Sequence, residues 1–170
     1  MVWRNEPLSL YHGTVGLYAD DIEANGIDLA KGRPGRDFGR GFYAARREAQ
    51  AIRFANEKYR FMLSLHRHNG SVPDPLCAAV IHYSIDRNDL GQLDTLVFVS
   101  PDQEWQDFVK HCRTTMNGHK GPGVYYDVVH GPVSTVTNES ALRLEQLSFH
   151  SISAISALNR IGVRRGTPRL

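Results

Sequence analysis

Seven of the fifteen glycines of this 170-residue chain fall between Gly13 and Gly41. That is about one position in four, against roughly 7% in an average protein. Glycine lets a backbone turn freely or be approached closely. The segment is therefore built around backbone geometry, and the rest of the chain must supply the core. A length of 170 residues suits a single domain. Hydrophobic residues at 41% and charged residues at 22% are ordinary for a globular protein. No apolar run reaches the ~20 residues of a membrane span. The start, Met1 to Pro7, lacks the apolar stretch of a signal peptide, so a cytoplasmic location is expected. Twenty basic against eighteen acidic side chains leave a net charge of +2, which speaks against a strongly cationic nucleic-acid binder. Cys77 and Cys112 give neither metal spacing nor a disulfide framework.

The order of elements is mixed. Leu8 to His12 alternates as a strand, with Gly13 ending it and Thr14 capping a short helix that closes at Asn25-Gly26. Lys31 to Arg40 reads as a loop and Gly41 to Ala44 as a short strand. A long helix is predicted from Arg46 to Leu65, with Ala51, Phe54, Ala55, Met62 and Leu65 inward. Asn69 to Pro75 is a loop, and Cys77 to Ile85 and Leu93 to Val99 are strands. Ser100-Pro101 opens a helix through Trp105, Phe108 and Val109, all read as core packing. Asn117 to Gly123 is a turn, Val124 to Val129 a strand broken at Gly131-Pro132, and Leu142 to Phe149 another strand. Ser151 starts a last short helix with Ile152, Ile155 and Leu158. The tail, 160–170, has four arginines and no acid, and is expected to be frayed. About six strands with two or three helices give an α+β fold in one domain, residues 1–170.

Several motifs are missing. There is no phosphate loop of the GxxxxGK[ST] type, no HExxH and no third glycine after Gly39-Arg40-Gly41. His66 and His68 are two apart, the wrong spacing for a facing pair on a helix, so no metal is expected. His12 stands out, because Gly13 follows it at a strand end. The glycine lets a planar amide approach the backbone, or it only turns the chain. Tyr43 follows two glycines and Phe42, which suits a flat stacking surface or a strand with core aromatics. Phe54 is core or a second stacking ring. Arg33, Arg36 and Arg40 suit pyrophosphate oxygens, or form a solvated loop. Asp37 bonds its own loop or serves a ligand.

Tyr11-His12-Gly13-Thr14, Asp37-Phe38-Gly39-Arg40-Gly41-Phe42-Tyr43, Glu104-Trp105 with Phe108-Val109, Tyr126-Asp127-Val128-Val129 with Gly131-Pro132-Val133, and Gln146-Leu147-Ser148-Phe149-His150 occur in this order. Together they resemble a bacterial family long labelled as of unknown function, whose core is similar to ADP-ribosyltransferases. The first two motifs also resemble the histidine-tyrosine-glutamate class, which includes diphtheria-toxin-like enzymes and poly-ADP-ribose polymerases. The resemblance implies a split-sheet core and NAD as substrate. It implies that His12 bonds the ribose beside nicotinamide, that Gly13 holds the carboxamide, and that Tyr43 and Phe54 sandwich the ring. Thr14, Arg36, Asp37 and Phe38 join the implied cofactor-binding set. Gln146 falls where that class has its catalytic glutamate.

A glutamine can hydrogen-bond a ribose hydroxyl but brings no charge and cannot be a base. Glu145 is expected to face the other way, as neighbours on a strand do. Asp37 and Asp127 are the remaining candidate bases. With no Glu-x-Glu in the chain, the arginine-modifying toxin class is disfavoured. The resemblance thus implies transfer of ADP-ribose to a macromolecule of unspecified type, with nicotinamide released. It also implies a toxin of the cytoplasm, or one delivered as an effector, restrained by an antitoxin protein, with no membrane partner. The alternatives are a module that binds NAD or ADP-ribose without turnover, and an NAD glycohydrolase.

Overall fold

The computed structural model describes residues 5–73, 76–115, 117–134 and 140–170, with the backbone alone at 140–143. The fold is α+β, with two sheets. The chain forms two compact units. One contains Leu8–Gly26, Ala44–Ser84 and Asn159–Leu170, and the other the residues up to Pro7, Ile27–Tyr43 and Ile85–Leu158.

The first of these carries a three-stranded sheet. Its elements are β1 (Leu8–Val15), α1 (Gly16–Asn25), α2 (Glu48–His68), β3 (Ala78–Ile85) and β7 (Asn159–Arg165), with strand order β1-β3-β7. β1 does not stop at Gly13 but runs on to Val15. The glycine serves the packing of α2 instead: a Cβ there would lie 2.2 Å from the Ala51 carbonyl oxygen and 3.0 Å from the Ala55 nitrogen. Thr14 caps no helix. α1 starts two residues later without a side-chain cap, and the Gly16 N–H bonds the Cys77 carbonyl. It ends as expected, at Gly26 with φ +80°. α2 buries Ala51, Ala55, Tyr59 and Met62, which pack with Val15, Leu76, Ala78 and Val80. That stripe leaves Phe54 and Leu65 at its edge, 38% and 45% exposed, although the periodicity puts both inward. Residues 69–73 form the predicted loop, and positions 74–75 lie outside the described residues.

The tail is not frayed. β7 pairs antiparallel with β3, from Ala79 opposite Arg165 to Ser84 opposite Asn159. Its arginines suggest a solvated end because their partners are far away in sequence. Arg165 bonds Asp20 at 2.5 Å and also Glu23, and Arg164 meets Glu48 at 3.2 Å.

The other unit carries a four-stranded sheet. Its elements are β2 (Phe42–Ala44), α3 (Arg87–Leu90), β4 (Thr95–Val97), α4 (Gln103–Thr115), β5 (Val128–Ser134), β6 (Ser140–Phe149) and α5 (Ile152–Ser156). The strand order is β2-β6-β5-β4, with β4 parallel to β5 and β5 antiparallel to β6. α4 is capped by Asp102, which accepts the Trp105 N–H at 3.0 Å, while the expected cap Ser100 donates to Asp102. Both sit before the helix, but Asp102 immediately precedes its first residue, Gln103, which puts its carboxylate within reach of the third helical N–H.

β5 starts later than expected and is not broken at Gly131-Pro132. A Cβ on Gly131 would come within 3.1 Å of both Phe38 and Phe98, so the glycine makes room for core rings. Pro132 is tolerated opposite Glu145, where the ladder shifts before Ser134. Val124 closes a turn with Gly121 instead of opening the strand. The core is Phe38, Phe98, Trp105, Val109 and Val129. On β6, Leu147, Ser148 and Phe149 are buried and Glu145 is exposed, while the side chains of Leu142 and Arg143 lie outside the described residues. Ser151 caps α5 by accepting the Ala154 N–H at 3.1 Å, and Ala154 rather than Ile152 is buried there.

Candidate functional site

A polar cluster of the four-stranded unit centres on Asp37, which is 9% exposed. Its Oδ1 accepts from Arg113 at 2.7 Å and from the Ser134 hydroxyl at 2.8 Å. Its Oδ2 accepts from the Ser134 N–H at 2.8 Å and from the Gln146 amide nitrogen at 2.7 Å. Arg113 also donates to the Ser134 hydroxyl. A carboxylate offers about four acceptor positions, and all are taken. Asp37 is thus engaged as a fourfold acceptor rather than standing free as a base. Asp127, the other candidate base, accepts the Asp94 N–H at 2.9 Å and ties down the start of β4. Glu145 does not substitute: exposed on β6, it lies 3.4 Å from His130.

Tyr43 lies on β2 and Gln146 on the neighbouring strand β6. The Tyr43 hydroxyl accepts the Phe38 N–H at 3.1 Å and donates to the Gly39 carbonyl at 2.6 Å. Burial raises this phenol far above its ordinary range. The hydroxyl is committed to the loop, so any ligand contact of Tyr43 falls to its ring. Phe38, expected at the cofactor, is fully buried among Phe98, Phe108 and the Trp105 region. It is core, because the glycine at 131 opens space for its ring. Arg36 is exposed, as is Arg33, and Arg40 donates to the Ala30 carbonyl at 3.2 Å.

Two histidines hold the Phe38–Gly41 loop. His119 Nδ1 accepts the Tyr126 N–H at 3.1 Å, so its Nε2–H donates to the Phe38 carbonyl at 2.8 Å. His150 Nδ1–H donates to the Arg40 carbonyl at 2.8 Å, and its Nε2 accepts from Ser148 at 2.7 Å. Their rings meet edge to face at 4.5 Å. Gly41 is what admits His150: a Cβ would sit 2.7 Å from that ring. Burial lowers both histidines, and His150 is pushed down to about 3.

A histidine held below its unfolded value of about 6.5 binds its proton more readily when unfolded. Its stabilising contribution is therefore full above about pH 6.5 and is lost as pH falls toward about 3. Urea unfolding between pH 7.5 and 5 is expected to lose up to about 1.4 kcal/mol per pH unit from His150. In His150→Gln this part of the dependence disappears; an unchanged pH profile in that variant contradicts the assignment.

In the three-stranded unit, His12 and Gly13 are half-buried on β1. Thr14 is fully buried, and its hydroxyl accepts from Lys58 at 3.2 Å. Phe54 stands on α2 with 38% of its surface exposed, open for a contact. The structure brings Asp37 to Gln146 and leaves Phe38 and Thr14 in the cores. Arg113, Ser134, His119 and His150 escaped sequence reasoning. Only His150 carried a signal, as the last residue of the Gln146-Leu147-Ser148-Phe149-His150 motif.

Fold and site define the class: an α+β protein of two small-sheet units, one of them organised around a glutamine anchored to a buried carboxylate. The chain matches over residues 8–158, and belongs to, the family described as a protein of unknown function, DUF3990. No curated protein matches it. Among the described residues, no helix is long and apolar enough to cross a membrane.

Proposed function

We propose that this protein uses NAD as a substrate, releasing nicotinamide and passing ADP-ribose to a macromolecular acceptor. The observation that carries the reading is the placement of Tyr43 and Gln146 on neighbouring strands of one sheet. These are the residues that the resemblance assigns to the nicotinamide ring and the ribose hydroxyl. The Tyr43 hydroxyl is held by the loop, which fixes the plane of its ring. Gln146 is half-buried and held at one end, as a group that must meet a hydroxyl at a defined place would be. Cleavage of the C–N glycosidic bond passes through an oxocarbenium-like state, as in glycoside cleavage. Here the proton lost by the acceptor nucleophile leaves to solvent or to the acceptor's own groups, since Asp37 has no vacant acceptor position. The family resemblance adds His12 and Gly13 as ribose and carboxamide contacts, and a toxin role restrained by an antitoxin protein.

One observation favours a second reading. With Gln146 uncharged, the carboxylate bonded to it among the described residues, Asp37, is already engaged at all four acceptor positions. A module that binds NAD or ADP-ribose without turnover needs no free carboxylate. Purified protein incubated with labelled NAD and bacterial lysate separates the readings. Transfer predicts free nicotinamide together with label on a protease- or nuclease-sensitive product. Label recovered only as free ADP-ribose means glycohydrolysis. Bound but intact NAD means the module, and neither binding nor cleavage refutes NAD as the ligand.

A further inference from the structure

We infer that Asp37 is a positioning residue for Gln146, setting which end of its amide is presented to a ligand. The inference rests on the NAD reading for the identity of that ligand. An ionised carboxylate only accepts hydrogen bonds, so the group of Gln146 lying 2.7 Å from Asp37 Oδ2 must be its NH2. The same nitrogen is 3.4 Å from the Pro132 carbonyl, again an acceptor. Both neighbours therefore fix the same orientation of the amide.

The carbonyl oxygen, Oε1, is then turned the other way. It accepts no hydrogen bond from a described residue, and it is not among the buried side-chain atoms lacking a partner. Oε1 thus remains an acceptor of fixed direction. Unanchored, a glutamine amide can turn over and offer a donor instead. Donation to a charged carboxylate also polarises the amide and increases the negative character of Oε1. Asp37 is itself held in place by Arg113 and by both the N–H and hydroxyl of Ser134. The arrangement gives Gln146 one property of a glutamate, a fixed acceptor toward a ribose hydroxyl, without a second negative charge.

This placement sets the expectation for Gln146→Glu. Alone, the new carboxylate lies against that of Asp37, and two carboxylates at such a distance cannot both stay ionised. The single change is therefore harmful at neutral pH and recovers on acidification. Asp37→Asn loses the fixed orientation. The double variant Asp37→Asn with Gln146→Glu keeps the number of charges and reverses the hydrogen bond, with the introduced asparagine donating to the introduced glutamate.

The test is calorimetric binding of NAD to the full chain and these three variants from pH 5.5 to 8. Asp37→Asn is expected to weaken binding by about tenfold or more, the effect of one lost charged hydrogen bond. Gln146→Glu weakens it with a pH dependence absent from wild type, and the double variant recovers most of the loss. Asp37→Asn and the double variant both matching wild type overturns the inference. A ligand-free readout keeps it separate from the NAD reading. In 15N-labelled wild type, the Gln146 side-chain NH2 is expected to exchange with solvent at least about tenfold more slowly than exposed glutamines. Exchange at the exposed rate overturns the inference whether or not NAD binds. Slow exchange with no NAD binding refutes the NAD reading alone. Should Asp37→Asn fail to fold, Ser134→Ala, which removes one of the four donors, replaces it with the same expected direction.

Discussion

Gly13→Ala is expected to cost this protein about 3 kcal/mol or more, and to lower its melting temperature by roughly 6–12 °C. The new Cβ would stand 2.2 Å from the Ala51 carbonyl oxygen and 3.0 Å from both the Ala51 carbonyl carbon and the Ala55 nitrogen. All three are backbone atoms of α2, so no side-chain rotation relieves the clash. The helix must move off β1, and the core it shares with Val15, Ala78 and Val80 opens with it. Gly162→Ala is the control: nothing lies within 4 Å of its Cβ position, and its cost is expected within about 0.5 kcal/mol. Thermal unfolding of the two variants checks this. Equal melting temperatures contradict the close approach of helix and strand. The result bears on function, because a Gly13 variant that no longer handles NAD will first have lost its packing. Only a variant shown to be folded can test the carboxamide contact.

Trp105→Ala is the second large effect. Trp105 is fully buried on α4 beside Phe38, Phe98, Val109 and Val129, and removing it leaves a cavity the size of an indole. The expected cost is about 3–5 kcal/mol, or roughly 6–20 °C of melting temperature. α4 also carries Arg113, so a loosened helix weakens the Arg113–Asp37 pair as well. Trp105→Phe is expected to cost less than half as much. It keeps most of the apolar volume and removes an indole N–H that is buried without a hydrogen bond. Guanidinium or thermal unfolding of both variants decides the matter. A phenylalanine variant as unstable as the alanine variant would mean that the N–H is satisfied after all.

Local chemistry is legible wherever it decides structure by itself. The end of α1 at Asn25-Gly26 and the Ser151 cap follow from one or two residues whose preferences need no distant partner. The long helix is legible too, though it begins at Glu48 and continues to His68. Its inner face is legible only in part: Ala51, Ala55 and Met62 are buried, and Phe54 and Leu65 are not. Periodicity gives the stripe, but where the stripe is centred depends on what packs against it. Arginines 160, 164 and 165 read as a solvated tail because nothing in the tail reveals their partners on α1 and α2.

The candidate site divides in the same way. Sequence by itself determined that Tyr43 and Gln146 stand where the family pattern has them, that Glu145 faces away from Gln146, and that the Gly13–Gly41 segment is shaped by its backbone. These are matters of residue identity and strand alternation. The tertiary structure decided what the glycines are for: Gly13 admits α2, and Gly41 admits His150. It also decided that Phe38 and Thr14 are core and that Asp37 is a saturated acceptor. Asp37 and Gln146 are 109 residues apart, and Asp37 and Arg113 are 76 apart. No local propensity encodes contacts at such separations. They exist because β5, β6 and α4 fold around the loop that carries Asp37, where a buried carboxylate must find donors and takes all that the fold delivers.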